Sequence, residues 1–275
     1  MIMGGTSRAR LPFPELDVVL HPSHHPAIRR LADDRRPRPL VAAHRGDSCR
    51  HAENTIGAFS AATSLGVAVQ EFDVRQLRDG ELVCVHDATF DRTTDAARVF
   101  GPGRLVRECG LEDVRLLTCA GGERVPTLTE ALAVMLPKTV PLIEHKAGDA
   151  QAYVDAIRGA GLEDQVILQS FDWRFLEETR RLEPRLALGA LGPNRYHPHP
   201  DDDALALLAS FGAALVHWDA TVLRRQDVER AHTAGLLVCT YTTDDELGWL
   251  GGRAMGVDVM CSNDPARMTA VIQGG

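Results

Sequence analysis

Lysine is almost absent from this chain of 275 residues, since Lys138 and Lys146 are the only two and arginine supplies the other side-chain cations. Acidic residues outnumber lysine and arginine by 38 to 30, which gives a formal net charge of -8. Such a chain has no overall attraction for nucleic acid or for an anionic membrane, so any phosphate-bearing ligand must be held by a local site. The position of each lysine is therefore informative.

Long apolar runs and paired cysteines are also missing. No stretch reaches the ~18 consecutive apolar residues of a membrane span, and the first residues lack the apolar core of a secretory signal. The six cysteines form no C-x-x-C pair, so we expect reduced thiols rather than disulfides or a zinc site. With 44% hydrophobic and 25% charged residues, the composition indicates a soluble globular protein, which we expect in the cytoplasm.

From Leu40 onward, short apolar runs alternate with helix-like segments. This rhythm predicts an α/β fold, a closed (β/α)8 TIM barrel that forms one domain over residues 39–275. Helices are predicted after Asn54, at the capping box that begins at Thr127, and between most of the later strands. The eight predicted strands cover residues 40–44, 68–74, 140–145, 166–170, 186–190, 213–218, 236–241 and 257–262.

Two segments fall outside this alternation. Residues 1–38 have no sustained period, and we expect a loosely ordered N-terminal extension. Residues 88–125 form an insertion after the second strand that is too long for a simple strand-to-helix loop. Long loops of this kind lie over the active face of a barrel, which is where we expect this insertion.

Asp79-Gly80 lies between two runs of alternating character and predicts a two-residue hairpin turn of type I′. With that turn at its centre, Asp73 would lie opposite His86, and Glu71 would share their face of the hairpin. These side chains would then converge at the C-terminal end of a barrel strand, where barrel active sites lie. The alternative is a solvated hairpin with ordinary polar residues on its outer face.

Charged residues also end two other predicted strands. The first strand ends at His44 and is followed by Arg45, and Glu144 and Lys146 share one face of the third. Burying such charges costs several kcal/mol per ion unless they pair, bind a metal or meet a charged ligand. A purely structural ion pair is the alternative for Glu144 and Lys146. Four other histidines are interpreted as structural: His145, His197, His199 and His217.

The carboxylates of Glu71, Asp73 and Glu144 form an oxygen-only ligand set, which suits Mg²⁺ or Ca²⁺ rather than zinc. Arg45 and Lys146 offer positive charge to an anionic ligand.

His44 and His86 can divide the acid and base roles near neutral pH. Together with a divalent cation and two fixed side-chain cations, they describe a site for phosphodiester cleavage. No serine, cysteine or threonine lies in a motif with an activating base, so the expected attacking group is water or a hydroxyl of the substrate.

Five motifs resemble the glycerophosphodiester phosphodiesterase family over about residues 40 to 268: AHRGDSCRHAENTIGAF, QEFDVRQLRDGELVCVHDATFDRTT, GERVPTLTEAL, PLIEHK and LQSFD. The resemblance implies a TIM barrel of the PLC-like phosphodiesterase type that hydrolyses glycerophosphodiesters to sn-glycerol 3-phosphate and an alcohol, through a cyclic phosphate. It implies an acid/base pair, His44 and His86, metal ligands, Glu71, Asp73 and Glu144, and phosphate binders, Arg45 and Lys146. Glu53 matches the glutamate of the family's E-N-T motif, where it would support these residues or, alternatively, mark a helix start.

Two positions depart from the family pattern. Tyr241 stands in the substrate-pocket wall where the family usually has tryptophan, and Asn263 stands where an acidic residue is common. Both changes bear on substrate identity more than on reaction class, and we expect neither to contact the metal site or the two histidines.

Two other functions remain open. A lysophospholipase D or sphingomyelinase D-like enzyme would need an exposed apolar lip, for which Phe90, Val99 and Phe100 of the insertion are candidates. A catalytically silent barrel that only binds phosphodiesters would be marked by loss of a histidine or a metal carboxylate, and none is lost here.

Overall fold

A computed structural model of the chain describes residues 24–33 and 38–273. Eight parallel strands close into a barrel, since the first strand hydrogen-bonds to both the second and the last. A short ninth strand, β3, pairs antiparallel with β2 outside this ring. The strands are β1 (Leu40–His44), β2 (Val69–Gln76), β3 (Leu82–Cys84), β4 (Val140–Ala147), β5 (Ile167–Ser170), β6 (Ala187–Gly192), β7 (Leu215–Asp219), β8 (Leu237–Tyr241) and β9 (Val259–Ser262).

Helices surround the barrel, and none within the described ranges is long and apolar enough to cross a bilayer. They are α1 (Pro26–Ala32), α2 (Ile56–Ser64), α3 (Ala96–Phe100), α4 (Leu111–Arg115), α5 (Leu128–Met135), α6 (Ala150–Gly159), α7 (Trp173–Leu182), α8 (Asp202–Ser210), α9 (Arg225–Thr233), α10 (Glu246–Met255) and α11 (Pro265–Gln273).

The predicted barrel is confirmed, and each of its eight strands lies within a few residues of its predicted range. The capping box at Thr127 forms as expected, because the Glu130 amide donates to Thr127 Oγ1 at 3.2 Å and Glu130 Oε2 accepts from the Thr127 amide at 2.8 Å. Helix α6 was not predicted. Its buried residues Ala150, Tyr153, Val154 and Ile157 follow the i, i+3, i+4, i+7 spacing that would have indicated it.

The hairpin of β2 and β3 is present, but its predicted register is wrong by one residue. Val74 pairs with Cys84, so Asp73 lies opposite Val85, whose amide donates to the Asp73 carbonyl at 3.0 Å. The turn has three residues rather than two, and only Gly80, at φ 92°, takes a positive φ. A type I′ turn would need positive φ at Asp79 as well, and that residue does not have it.

The N-terminal extension is more ordered than expected over residues 24–33. Helix α1 buries Ala27, Ile28 and Leu31 in the apolar cluster that fills the barrel interior. His25 begins this helix, because its Nδ1 accepts from the Ala27 amide and its Nε2 contacts the Glu163 carbonyl at 2.9 Å. Residues 1–23 and 34–37 of the predicted extension lie outside the described part.

The insertion at 88–125 builds a small apolar cluster of its own against the hairpin. Phe90, Val106, Val114 and Leu117 are buried there. Phe90 is only 1% exposed, and the Arg104 guanidinium covers the Phe100 ring at 4.5 Å. The apolar lip suggested for this segment is therefore wrong for Phe90, whereas Phe100 is partly exposed and Val99 is 36% exposed.

Candidate active site

Three carboxylates meet inside the barrel at the C-terminal ends of two neighbouring strands. Glu71 and Asp73 come from β2 and Glu144 from β4, and the register pairs Asp73 directly with Glu144. One ligand atom from each of the three residues lies within 4.8 Å of the others. All three residues are buried. The structure thus brings together the three ligands predicted from the sequence, as a possible metal site.

The charges in this cluster do not balance. Lys146 Nζ forms ion pairs with Glu144 and, at 3.2 Å, with Asp73 Oδ1. Neither oxygen of Glu71 has a hydrogen-bond partner within the described residues. An anionic oxygen buried without a partner is costly, and a divalent cation bound by oxygen ligands would remove that cost. The donor set therefore fits a hard divalent cation.

The electrostatics of the cluster reflect the same imbalance. Burial, reinforced by Asp73 and Glu144, raises the pKa of Glu71 well above its usual value. Burial also raises the pKa of Glu144 to about 7, although Lys146 opposes the shift. For Asp73, burial is outweighed by Lys146 and Arg45, so its pKa is lowered. The side-chain cations of the protein thus do not fully offset the burial of the Glu71 and Glu144 carboxyl groups.

Arg45 lies at a sharp turn after β1. Its φ of 58° and that of Gly46, 81°, turn the chain back toward β2, where the Arg45 amide donates to the Glu71 carbonyl at 2.8 Å. A Cβ on Gly46 would lie 2.7 Å from Ala58, so only glycine fits this turn. The guanidinium then reaches Asp73 at 3.0 Å and Glu53 at 2.8 Å.

Asn54 supports the cluster in a way that the sequence interpretation missed. It takes a positive φ of 57°, and its side-chain amide donates to Asp73 Oδ2 at 2.9 Å while accepting from the Asp73 amide. The two bonds fix the orientation of the Asp73 carboxylate. The asparagine of the E-N-T motif was the available signal for this role.

His44 is held by Asn263, one of the two departures from the family pattern. Its Nδ1 lies 2.7 Å from Asn263 Oδ1, and its Nε2 lies 3.8 Å from Glu71 Oε2. The Asn263 side chain donates to Asp244 Oδ2 at 2.6 Å, so its oxygen must face the imidazole. The expectation that Asn263 does not contact the histidines is therefore wrong.

This chain of contacts defines the state of His44. Because the Asn263 oxygen accepts from Nδ1–H, the neutral ring keeps its lone pair on Nε2. Burial, aided by the charge of Arg45, lowers the pKa of His44. His44 is thus suited to accept a proton at Nε2. Asp244, which lies 200 residues away in the sequence, was not predicted because nothing near it forms a motif.

His86 lies at the mouth of the same cavity although its predicted register is wrong. Strand β3 ends at Cys84, two residues before His86, and His86 lines the cavity together with His44 and Glu144. Its Nδ1 contacts Asp87 Oδ1 at 2.6 Å. Hydrogen bonds from Arg92 and His86 hold the pKa of Asp87 at about 2, so this partner is an anion.

Glu53 joins the two sides of the site rather than capping a helix. It binds Arg45 at 2.8 Å and Arg92, from the insertion, at 2.7 Å. Arg92 also pairs with Asp87, the partner of His86. The glutamate thus contacts Arg45, the arginine predicted to bind phosphate, and Arg92 and Asp87 are additions that only the tertiary structure reveals.

Two of the three carboxylates, Glu71 and Glu144, line one cavity of about 210 Å³ together with both histidines and both fixed cations. Tyr241 forms part of its wall, with its ring edge-on to Phe171 and its hydroxyl donating to the Gly192 carbonyl at 2.8 Å. His217 also lines the cavity, although the sequence indicated only a structural role for it. This arrangement combines charge neutralisation with proton transfer at two points, which phosphodiester cleavage requires.

Comparisons with known proteins agree with this geometry. The sequence model of the glycerophosphoryl diester phosphodiesterase family matches residues 44–267. A glycerophosphodiester phosphodiesterase of Caldanaerobacter subterraneus is 34% identical over 238 residues, which cover 75% of this chain and 94% of the relative. A Bacillus subtilis glycerophosphodiester phosphodiesterase is 27% identical over 76% of this chain and 78% of its own length.

Solved structures show the same fold. A phosphodiesterase from Oleispira antarctica, in complex with the product sn-glycerol-3-phosphate, superposes with a TM-score of 0.77 at 25% identity, over 86% of this chain and 97% of the other. A glycerophosphodiester phosphodiesterase from Parabacteroides distasonis has a TM-score of 0.73 at 22% identity over 87% of this chain and 98% of the other, which bears on the fold alone. With the family match spanning most of the barrel, this chain belongs to the glycerophosphoryl diester phosphodiesterase family.

Proposed function

We propose that this protein hydrolyses glycerophosphodiesters to sn-glycerol 3-phosphate and an alcohol, with Mg²⁺ or Ca²⁺ bound by Glu71, Asp73 and Glu144. The observation that carries the proposal is the convergence of this carboxylate cluster with His44 and His86 at one cavity. The product bound to the Oleispira antarctica relative supports the choice of glycerol 3-phosphate. A silent barrel would not need two histidines beside such a cluster.

The two histidines take different roles in this proposal. His44, neutral and with its lone pair on Nε2, accepts the proton of the attacking hydroxyl. His86, whose Nδ1 contacts Asp87, donates the proton that the leaving alcohol takes up. Arg45 and Lys146 hold the phosphate. When bound, the divalent cation supplies positive charge that offsets the charge on the nonbridging oxygens.

The attacking group is the glycerol 2-hydroxyl, which lies next to the phosphate in the substrate itself. The protein's serines near the site are otherwise engaged, since Ser48 Oγ donates to the His44 carbonyl at 2.8 Å. Ser170 contacts His145, but Ser170 is buried and this histidine is stacked on Phe175, away from the cavity. Attack by the 2-hydroxyl forms a cyclic 1,2-phosphate and releases the alcohol. Water then opens the ring with the histidine roles reversed.

A substrate without the 2-hydroxyl tests this step. We expect a 2-deoxy glycerophosphodiester to turn over at least ~10²-fold more slowly than the intact substrate, because the intramolecular attack and its effective molarity are lost. Steady-state kinetics of the two substrates, with ³¹P NMR to detect the cyclic phosphate, measure the effect. Inhibition by the 2-deoxy compound is the control for binding. Equal rates would show that water attacks the phosphate directly.

A lysophospholipase D activity is the second candidate, because a groove of about 680 Å³ with several exposed apolar side chains adjoins the cavity. Phe171 lines both the cavity and the groove, and it is 40% exposed. Tyr196 and Leu207 also line the groove and are 68% and 38% exposed. This groove, not the insertion, offers an apolar lip. A series of 1-acyl glycerophosphocholines of increasing chain length separates the two functions, since rates that rise with chain length favour the lysophospholipase.

A further inference from the structure

His217 occupies the barrel interior at the level of the catalytic cavity. It follows Leu215 by two residues on β7, so both side chains point toward the barrel axis, where Leu215 belongs to the interior cluster. Only 1% of His217 is exposed, yet its side chain lines the cavity together with His44, Glu71 and Tyr241. The edge-on Tyr241 ring, 5.2 Å away, fixes the plane of the imidazole.

One nitrogen of His217 is used and the other is not. Nδ1 lies 2.8 Å from Gln169 Oε1 on β5. Nε2 has no hydrogen-bond partner within residues 24–33 and 38–273. The intervening strand carries Gly189 at this level, where a Cβ would lie 2.9 Å from Leu215 and 3.2 Å from Gln169. The absence of a side chain there leaves the two polar groups free to meet across β6.

A buried imidazole nitrogen without a partner costs free energy unless a ligand or water supplies the bond. Burial lowers the pKa of His217 to about 3, and the charge of His44 acts in the same direction. The nearby Thr240 backbone opposes the shift, although it forms no hydrogen bond of normal geometry with the imidazole. The imidazole is therefore uncharged at neutral pH. An uncharged nitrogen neither attracts an anion strongly nor repels a neutral group.

The chemistry of the pair selects a hydroxyl as its ligand. When Gln169 Oε1 accepts from Nδ1–H of His217, Nε2 carries the lone pair and accepts a hydrogen bond. When the Gln169 amide is turned over, its NH₂ group donates to Nδ1, and Nε2–H becomes a donor. A hydroxyl fits both arrangements because it can donate a hydrogen bond to Nε2 or accept one from it. A phosphate oxygen satisfies only a donor, and an ammonium group satisfies only an acceptor.

We infer that His217, held by Gln169, binds the terminal hydroxyl of the glycerol unit, the one farthest from the phosphate. This inference rests on the proposed function, in which the phosphate is held by Arg45 and Lys146 and the 2-hydroxyl is the attacking group. The terminal hydroxyl is then the remaining polar group of the glycerol unit. His217 would thereby distinguish glycerol phosphates from phosphates of simple alcohols.

Ligand binding tests the inference without any need for turnover. The probes are glycerol 3-phosphate, propane-1,2-diol 1-phosphate, which lacks only the terminal hydroxyl, and propyl phosphate, all measured by calorimetry on the wild-type protein with Mg²⁺ or Ca²⁺. We expect glycerol 3-phosphate to bind about 10-fold more tightly than propane-1,2-diol 1-phosphate, which is the effect of one buried hydrogen bond to an otherwise unpaired group.

Two matched variants assign this preference to the Nε2 position. His217→Asn keeps a polar group near Nδ1 for Gln169 but withdraws the one that faces the cavity, and we expect the preference to fall within 2-fold of unity. His217→Gln places an amide near the Nε2 position and should retain most of the preference. Circular dichroism and thermal melts confirm that both variants are folded.

The outcomes separate this inference from the proposed function. An unchanged preference in a folded His217→Asn variant would overturn the hydroxyl site and leave the proposed function standing, as would equal binding of the first two probes by the wild-type protein. If the wild-type protein with either cation binds none of the three phosphates, both the proposed function and the hydroxyl site are wrong.

Discussion

Replacing His44 or His86 by alanine is expected to lower turnover of a glycerophosphodiester by ~10²-fold to 10⁴-fold, since each removes one step of proton transfer. The affinity for substrate should change much less, because Arg45 and Lys146 hold the phosphate in the proposed mechanism. Turnover of the double variant should fall by a factor far smaller than the product of the two single factors, because the histidines are expected to act as a unit. Steady-state kinetics of the three variants measure this.

A matched control is available in His51, which is exposed and is not among the residues that line the cavity. His51→Ala should retain near-normal kcat and KM. If a folded His86→Ala variant turns over at the wild-type rate, His86 is not a catalytic residue in spite of its position at the cavity.

Chelation of divalent cations is expected to abolish turnover, and added Mg²⁺ or Ca²⁺ to restore it. Glu71→Gln should remove this restoration, because it replaces a fully buried ligand whose oxygens have no other hydrogen-bond partner in the described structure. The same variant should not lower the melting temperature in chelator, since it removes one of three mutually repelling carboxylates. Glu112→Gln, the same change at an exposed position, is the control.

The cation should also stabilise the folded protein. Ligands that bind only the native state raise its melting temperature, so Mg²⁺ or Ca²⁺ should raise that of the wild-type and of Glu112→Gln but not that of Glu71→Gln. Full turnover in excess chelator, or an equal thermal shift in Glu71→Gln, would contradict the assignment of the carboxylate cluster.

Much of the site follows from sequence because its residues lie at strand ends. Alternation along a strand places Glu71 beside Asp73, and Glu144 beside Lys146, on one face, and parallel barrel strands all end at the same rim. The hairpin shows the limit of this reasoning. Asp79-Gly80 fits both a two-residue and a three-residue turn, and the two differ by one residue in register.

Contacts between distant segments were beyond the sequence interpretation. Asn263 and Asp244 reach His44 because β1, β8 and β9 are neighbours around the barrel, and no local pattern records that adjacency. The sequence interpretation gave His217 only a structural role, and alternation along the run LVHWD does not by itself show which face points inward. In each case, the side chains come together only because the barrel closes and makes neighbours of strands that are distant in the sequence.

The most direct test of the account is product analysis. Purified protein loaded with Mg²⁺ or Ca²⁺ should convert glycerophosphocholine into equal amounts of sn-glycerol 3-phosphate and choline, followed by ³¹P NMR and enzymatic assay of both products. Formation of glycerol and phosphocholine would show that the other phosphoester bond is cleaved, and would contradict the proposed roles of the 2-hydroxyl and of His217. No hydrolysis of glycerophosphocholine, glycerophosphoethanolamine or glycerophosphoglycerol by the cation-loaded protein would contradict the proposed function itself.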